Sequence, residues 1–202
     1  MTWFKELTGF REVSPNQVRS NIRLDGDTLT PLVNDRTLRC GRLEIPSLGE
    51  LRERVNRSPD TPGRLHLEEV VADVADLHAD DGNAGDLFQV ASQFNLLEMV
   101  GPSVTPERGV AIYENDLTQG PVCAVACGAG TIYRNYFVEV EGELGQSADR
   151  QIDCLLDLGE ALGNAGERLW EMRNGYALAS RGGLIEISEQ LQASTDRERD
   201  RL

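Results

Sequence analysis

Residues 115–137 read NDLTQGPVCAVACGAGTIYRNYF. The middle of this stretch is almost free of bulky side chains, and its end turns abruptly aromatic. A polar lead-in of Asn115, Asp116, Thr118 and Gln119 precedes it. Gly120-Pro121 suits a helix start, because a proline there gives up an N–H that has no intrahelical partner. Residues 122–129 are then predicted as a helix with little side chain on any face. Such a helix packs tightly against a sheet or lets a ligand lie on its backbone. The first N–H groups of a helix are free, and the dipole favours an anion there. Packing does not explain the polar lead-in, so this helix start is the candidate ligand site. The tail, residues 131–138, is β-branched and aromatic and is predicted as extended. In it, Tyr133 and Arg134 are candidates to stack on a base and contact a phosphate.

Upstream, residues 86–91 (DLFQVA) read as a short buried strand. Gln93 and Asn95 follow at its C-terminal end, where ligands bind in an α/β sheet. Residues 64–78 fit a helical stripe in their second half and strand alternation in their first. Near the N-terminus, two short runs flank Asp25-Gly26-Asp27, a hairpin signal, and a further strand is predicted near 42–45. Ser47 with Glu50 three residues later is a capping-box pattern, so a helix starts there. Downstream, 149–162 is an amphipathic pattern closed by Gly163-Asn164-Ala165-Gly166, and 170–179 is predicted as a strand. Gly182-Gly183 reads as a turn, and the residues from 184 on as a final helix that becomes almost wholly charged and has no cap. The division implied is a small β-containing extension over 1–63 and an α/β domain over 64–202 that runs on beyond its last helix.

The bulk numbers exclude several classes. Formal net charge is −14 over 202 residues. Nucleic-acid binding begins with basic residues neutralising phosphates, so a nucleic-acid partner is not expected. No apolar run is long enough to cross a membrane, and MTWFKELTGF has no apolar h-region, so a cytoplasmic protein with reduced thiols is expected. The spacing of Cys40, Cys123, Cys127 and Cys154 contains no CxxC pair, so no metal site is expected. Cys123 and Cys127 lie one helical turn apart. A nucleophilic thiol needs a basic neighbour, and neither His66 nor His78 is near in sequence, so both cysteines read as small buried thiols.

The segment GPVCAVACGAG resembles the macrodomain stretch in which a glycine triplet opens a small-residue helix of the form GGGVxxAIxxAAG. Residues 86–95, DLFQVASQFN, are similar to the macrodomain strand that ends in Ala-Ala-Asn. The poly(ADP-ribose) glycohydrolase branch of that superfamily has a similar arrangement, with a longer N-terminal extension. The resemblance implies a three-layer mixed sheet with flanking helices, and ADP-ribose as ligand. It implies that Gln93 or Asn95 contacts the distal ribose and that the backbone around Gln119, Gly120 and Val122 approaches the diphosphate. Asp86, or an acidic residue of the preceding loop, would then accept from the adenine amino group, and no separate cofactor is expected. The triplet is Gln119-Gly120-Pro121 here, and the adjacent glutamates of the glycohydrolases are absent. Hydrolysis of an ADP-ribosyl link would fall to Glu114 or Asp116, the nearest carboxylates; otherwise Asp116 caps a turn. The alternatives are an ADP-ribose-binding module without turnover, or an interaction subunit that pairs with a protein partner or a second copy through its charged C-terminal helix.

Overall fold

The computed structural model describes residues 2–56, 64, 66–88, 104–152, 154–173 and 176–200. In chain order its elements begin with helices α1 (Trp3–Thr8) and α2 (Pro15–Asn21) and strands β1 (Ile22–Asp25), β2 (Thr28–Pro31) and β3 (Leu38–Arg39). Helices α3 (Leu48–Asn56), α4 (Val74–Ala79), α5 (Gln119–Cys127) and α6 (Ala129–Tyr136) follow, then strands β4 (Glu139–Val140) and β5 (Glu143–Leu144). The chain continues through α7 (Cys154–Leu162), β6 (Trp170–Arg173), β7 (Tyr176–Ala179), α8 (Arg181–Ala193) and α9 (Asp196–Arg199). The fold is mixed α/β. Among the described residues every strand pairing is antiparallel, in sheets of three, two and two strands. The expected three-layer mixed sheet is not found among them. Within each sheet the strands are consecutive in sequence and short connections join them, which is the arrangement of antiparallel pairing; the helical segments between sheets do not return the chain to the same sheet.

Two compact units form, one from residues 1–43 and 71–152, the other from 44–70 and 153–202. In the first, the hairpin falls where the sequence places it. Asp25 pairs with Thr28 across a two-residue turn in which Gly26 takes φ 57°. Ile22 and Leu29 point into the core beside Phe4 and Val18. The third strand pairs Leu38 with Leu29, ahead of the expected 42–45. Leu38 is the apolar side chain that continues the buried face. The first 43 residues share this core with Val110, Tyr113, Ile132 and Tyr136.

Glu12 ties these pieces together. Its carboxylate accepts from the Val110 N–H at 3.1 Å and the Ala111 N–H at 2.8 Å, and from the Tyr136 hydroxyl at 2.5 Å. Gly109, at φ 87°, makes room for it: a Cβ there would collide with Glu12 Oε2. Burial, and then the adjacent carboxylate, hold the Tyr136 phenol well above its ordinary value, so it remains a donor.

The segment 131–138 departs from expectation. Residues 129–136 form a helix, and Ala129, Ile132 and Tyr136 are buried, a helical spacing. Packing of that face overrides the β propensity of the individual residues. Gly128, at φ 56° and ψ −108°, separates α5 from α6. The Thr131 hydroxyl donates to the Ala124 carbonyl at 2.5 Å and pins the two together.

The second unit has its own core of Leu155, Leu162, Leu169 and Trp170. The amphipathic helix begins at Cys154, later than expected. The expected strand over 170–179 is the hairpin β6–β7. Asn164 fixes its start, accepting from the N–H groups of Leu169 (2.7 Å) and Trp170 (3.1 Å). Gly182 and Gly183 lie in the first turn of α8, capped by Ser180, rather than in a loop. The final helix breaks at Ser194, and Thr195 and Glu198 form a capping box for α9, so the expected absence of a cap does not hold. The Ser47–Glu50 box that opens α3 is present as expected.

Glu12→Gln places an amide against two N–H donors and is expected to destabilise the protein by about 1–3 kcal/mol in urea unfolding followed by circular dichroism. Gly183→Ala would drive a methyl into the Leu169 carbonyl oxygen. Its backbone cannot yield cheaply, so a loss of about 3 kcal/mol or more is expected, with faster hydrogen exchange in α7, β6 and α8.

Candidate functional site

Helix α5 is the wall shared by two cavities. Its N-cap is Thr118, whose side chain makes no capping bond. Asp116 engages Thr118 itself: its Oδ1 accepts from the Thr118 N–H at 2.8 Å and the Thr118 hydroxyl at 2.6 Å, a local turn ahead of the helix. The hydroxyl and then the N–H hold the Asp116 carboxyl below the usual range. The first intrahelical bond runs from the Val122 N–H to the Thr118 carbonyl. The Gln119 and Gly120 N–H groups precede it, and Pro121 has none.

On one face of α5, Val122, Val125 and Ala126 line a cleft of about 440 Å³. Ala75 and His78 of α4 and Tyr113, Glu114 and Asp116 also line it. The lining is mainly apolar, with two carboxylates and one imidazole. On the opposite face, Cys123 and Cys127 line a second cavity of about 250 Å³, together with Cys40 and Arg42, and Tyr133 and Arg134 of α6. The helical period makes this division: positions 122, 125 and 126 share one side, and 123 and 127 share the other.

The predicted site residues therefore separate. Glu114, Asp116 and Val122 meet in the first cleft. Tyr133 and Arg134 belong to the second cavity. Asn115, Gln119 and Gly120 line neither, and the Asn115 amide donates to the Ile112 carbonyl at 3.1 Å. Asp86 is exposed and lines neither cavity. Residues 86–88 are irregular, and Leu87 is 98% exposed, so this part of the expected strand is not buried. Gln93 and Asn95 lie outside the described residues. Glu114 also holds the fold together, because its Oε2 accepts from the Trp3 N–H at 3.1 Å.

Sequence reasoning set the histidines aside. The fold brings His78 Nε2 to 3.2 Å from Cys123 Sγ, across a separation of 45 residues. The His78 ring stacks on Phe88 at 4.1 Å between centroids. Within the sequence, the pairing of Cys123 with Cys127 at one helical turn was the available signal for a thiol site. Nothing local indicated which histidine would reach it. Among the described residues no three His, Cys, Asp or Glu side chains are grouped to hold a metal ion, and no helix is long and apolar enough to cross a membrane. No family model matches the chain, and neither does any curated protein or solved structure.

Asp116 is expected to titrate below the ordinary aspartate value of about 3.9 in a carbon-13 NMR titration, and Thr118→Val is expected to raise it toward that value. Because the folded value is depressed, the stability it contributes is complete above the ordinary range. It is lost as pH falls through the folded value.

Proposed function

We propose that the chain binds a small nucleotide-type ligand, with ADP-ribose as the expected one, in the cleft between α4, the turn Ala111–Asn115 and α5. The composition of that cleft carries the proposal. It encloses about 440 Å³ between small apolar side chains of α5 and a few polar groups at Glu114, Asp116 and His78. Small-molecule sites have this size and this mixture. The macrodomain-like motif supplies the identity of the ligand, since the segment that carries the resemblance is the helix that walls the cleft. The carboxylates of Glu114 and Asp116 are acceptors suited to ribose hydroxyls or an adenine amino group.

Binding is proposed rather than acid-assisted hydrolysis. Cleavage of a glycosidic bond by the two-carboxylate route needs a general acid whose pKa is raised. Asp116 has the opposite setting, held ionised by Thr118. Glu114 accepts a backbone N–H from α1.

The test is calorimetric titration with ADP-ribose, with AMP and NAD as comparators. Saturable binding of ADP-ribose in the micromolar range is expected, without release of free ADP-ribose from a mono-ADP-ribosylated peptide. Ala126 is exposed in the cleft wall, and Ala126→Trp is expected to weaken binding by about 10-fold or more through occlusion, ~1.4 kcal/mol. A flat trace with the unsubstituted chain would overturn the proposal, and product release would reinstate hydrolysis.

A further inference from the structure

We propose that Cys123 is a nucleophilic thiol, activated by His78, that reacts with small anionic electrophiles entering the cavity on the far side of α5 from the nucleotide cleft. Three observations converge on it. The first is the pair itself, with His78 Nε2 3.2 Å from Cys123 Sγ. With Nδ1 protonated, Nε2 is the acceptor for the thiol proton, which is how a histidine generates a thiolate. The second is access: Cys123 is only 8% exposed, yet it lines the cavity of about 250 Å³. The third is charge. Arg134 lines the same cavity, and its Nε and Nη2 are buried without a hydrogen-bond partner among the described residues. Arg42 lines it as well. In a chain of net charge −14, two guanidinium groups facing one cavity form a local anion site, and unpartnered buried donors call for an acceptor.

The other thiols of the cavity act as internal contrasts. Burial pushes the Cys40 thiol up, so it stays protonated. Cys127 is exposed, one turn along the helix from Cys123. A satisfied, inert S–H···N contact predicts that accessibility alone sets reactivity, so Cys127 would react first. A thiolate–imidazolium pair predicts the reverse. In the proposed step, Cys123 Sγ bonds to the electrophilic carbon as the carbon–leaving-group bond breaks. The leaving group departs with the bonding pair, and the thiol proton passes to His78 Nε2.

The probes are iodoacetate, which is anionic, and iodoacetamide, its neutral counterpart. The intact chain is labelled under native conditions, and fragment-ion mass spectrometry assigns the label to Cys123 or Cys127. Cys123 is expected to react about 10-fold faster than Cys127 despite its burial. His78→Asn is expected to slow Cys123 by about 10-fold while leaving Cys127 unchanged, which also reports that α5 stays folded. Arg134→Gln is expected to lower the iodoacetate-to-iodoacetamide rate ratio at Cys123 severalfold, with little change for iodoacetamide. Faster labelling of Cys127 in the unsubstituted chain overturns the proposal without recourse to any variant. Equal labelling of Cys123 with and without His78 overturns the role of the imidazole, and an unchanged ratio in Arg134→Gln overturns the anionic preference.

Discussion

The carboxylate of Glu12 is the constraint on which the first unit depends. It lies between α1 and α2 in sequence, yet it closes the start of the turn Ala111–Asn115 by accepting two of its N–H groups. Negative charge at such an N-terminus is favoured by the local dipole as well as by the hydrogen bonds. The same carboxylate takes the Tyr136 hydroxyl, so the end of α6 is fixed to the same point. The connection is reciprocal, because Glu114 at the far end of the turn accepts the Trp3 N–H from α1. The N-terminal segment thus holds the turn at both ends, and the turn sets where α5 begins. Gly109 is required because a side chain there would occupy the space of the Glu12 carboxylate.

With its start fixed, α5 serves as a partition. Its small side chains are not a featureless stripe: they divide by helical phase into a cleft-facing set and a thiol-bearing set. The two cavities differ in electrostatic character. One carries the carboxylates of Glu114 and Asp116, and the other the guanidinium groups of Arg42 and Arg134. A helix of larger residues would fill both spaces. The small residues that first draw attention to the segment are therefore explained by what they leave open on either side.

The legible parts of the sequence were those with a short-range cause. The hairpin at Gly26, the capping box at Ser47 and Glu50 and the start of α5 each depend on residues within about one helical turn. The ambiguous segment 64–78 resolved only in part, with α4 beginning at Val74 behind the Asp73 cap. Residues 131–138 misled because β-branched and aromatic side chains favour a strand when exposed singly to a sheet. The burial of Ala129, Ile132 and Tyr136 against the hairpin decided for a helix. The expected late strand is instead the hairpin β6–β7, with Trp170 opposite Ala179 and Arg173 opposite Tyr176, a pairing that a continuous apolar and aromatic run does not reveal.

For the candidate site the sequence by itself determined a helix opening at Gly120-Pro121, the polar lead-in before it and the spacing of Cys123 and Cys127, because these are set by backbone propensity and helical period; the run expected over 122–129 is found as Gln119–Cys127, ended by Gly128. The tertiary structure decided the rest. It divided the expected ligand residues between two cavities, engaged Asp116 and Glu114 with backbone N–H groups, and brought His78 to Cys123. Apart from the local turn at Asp116, these are contacts between residues that are distant in the chain. They follow from which faces are buried together, and no local pattern encodes that choice.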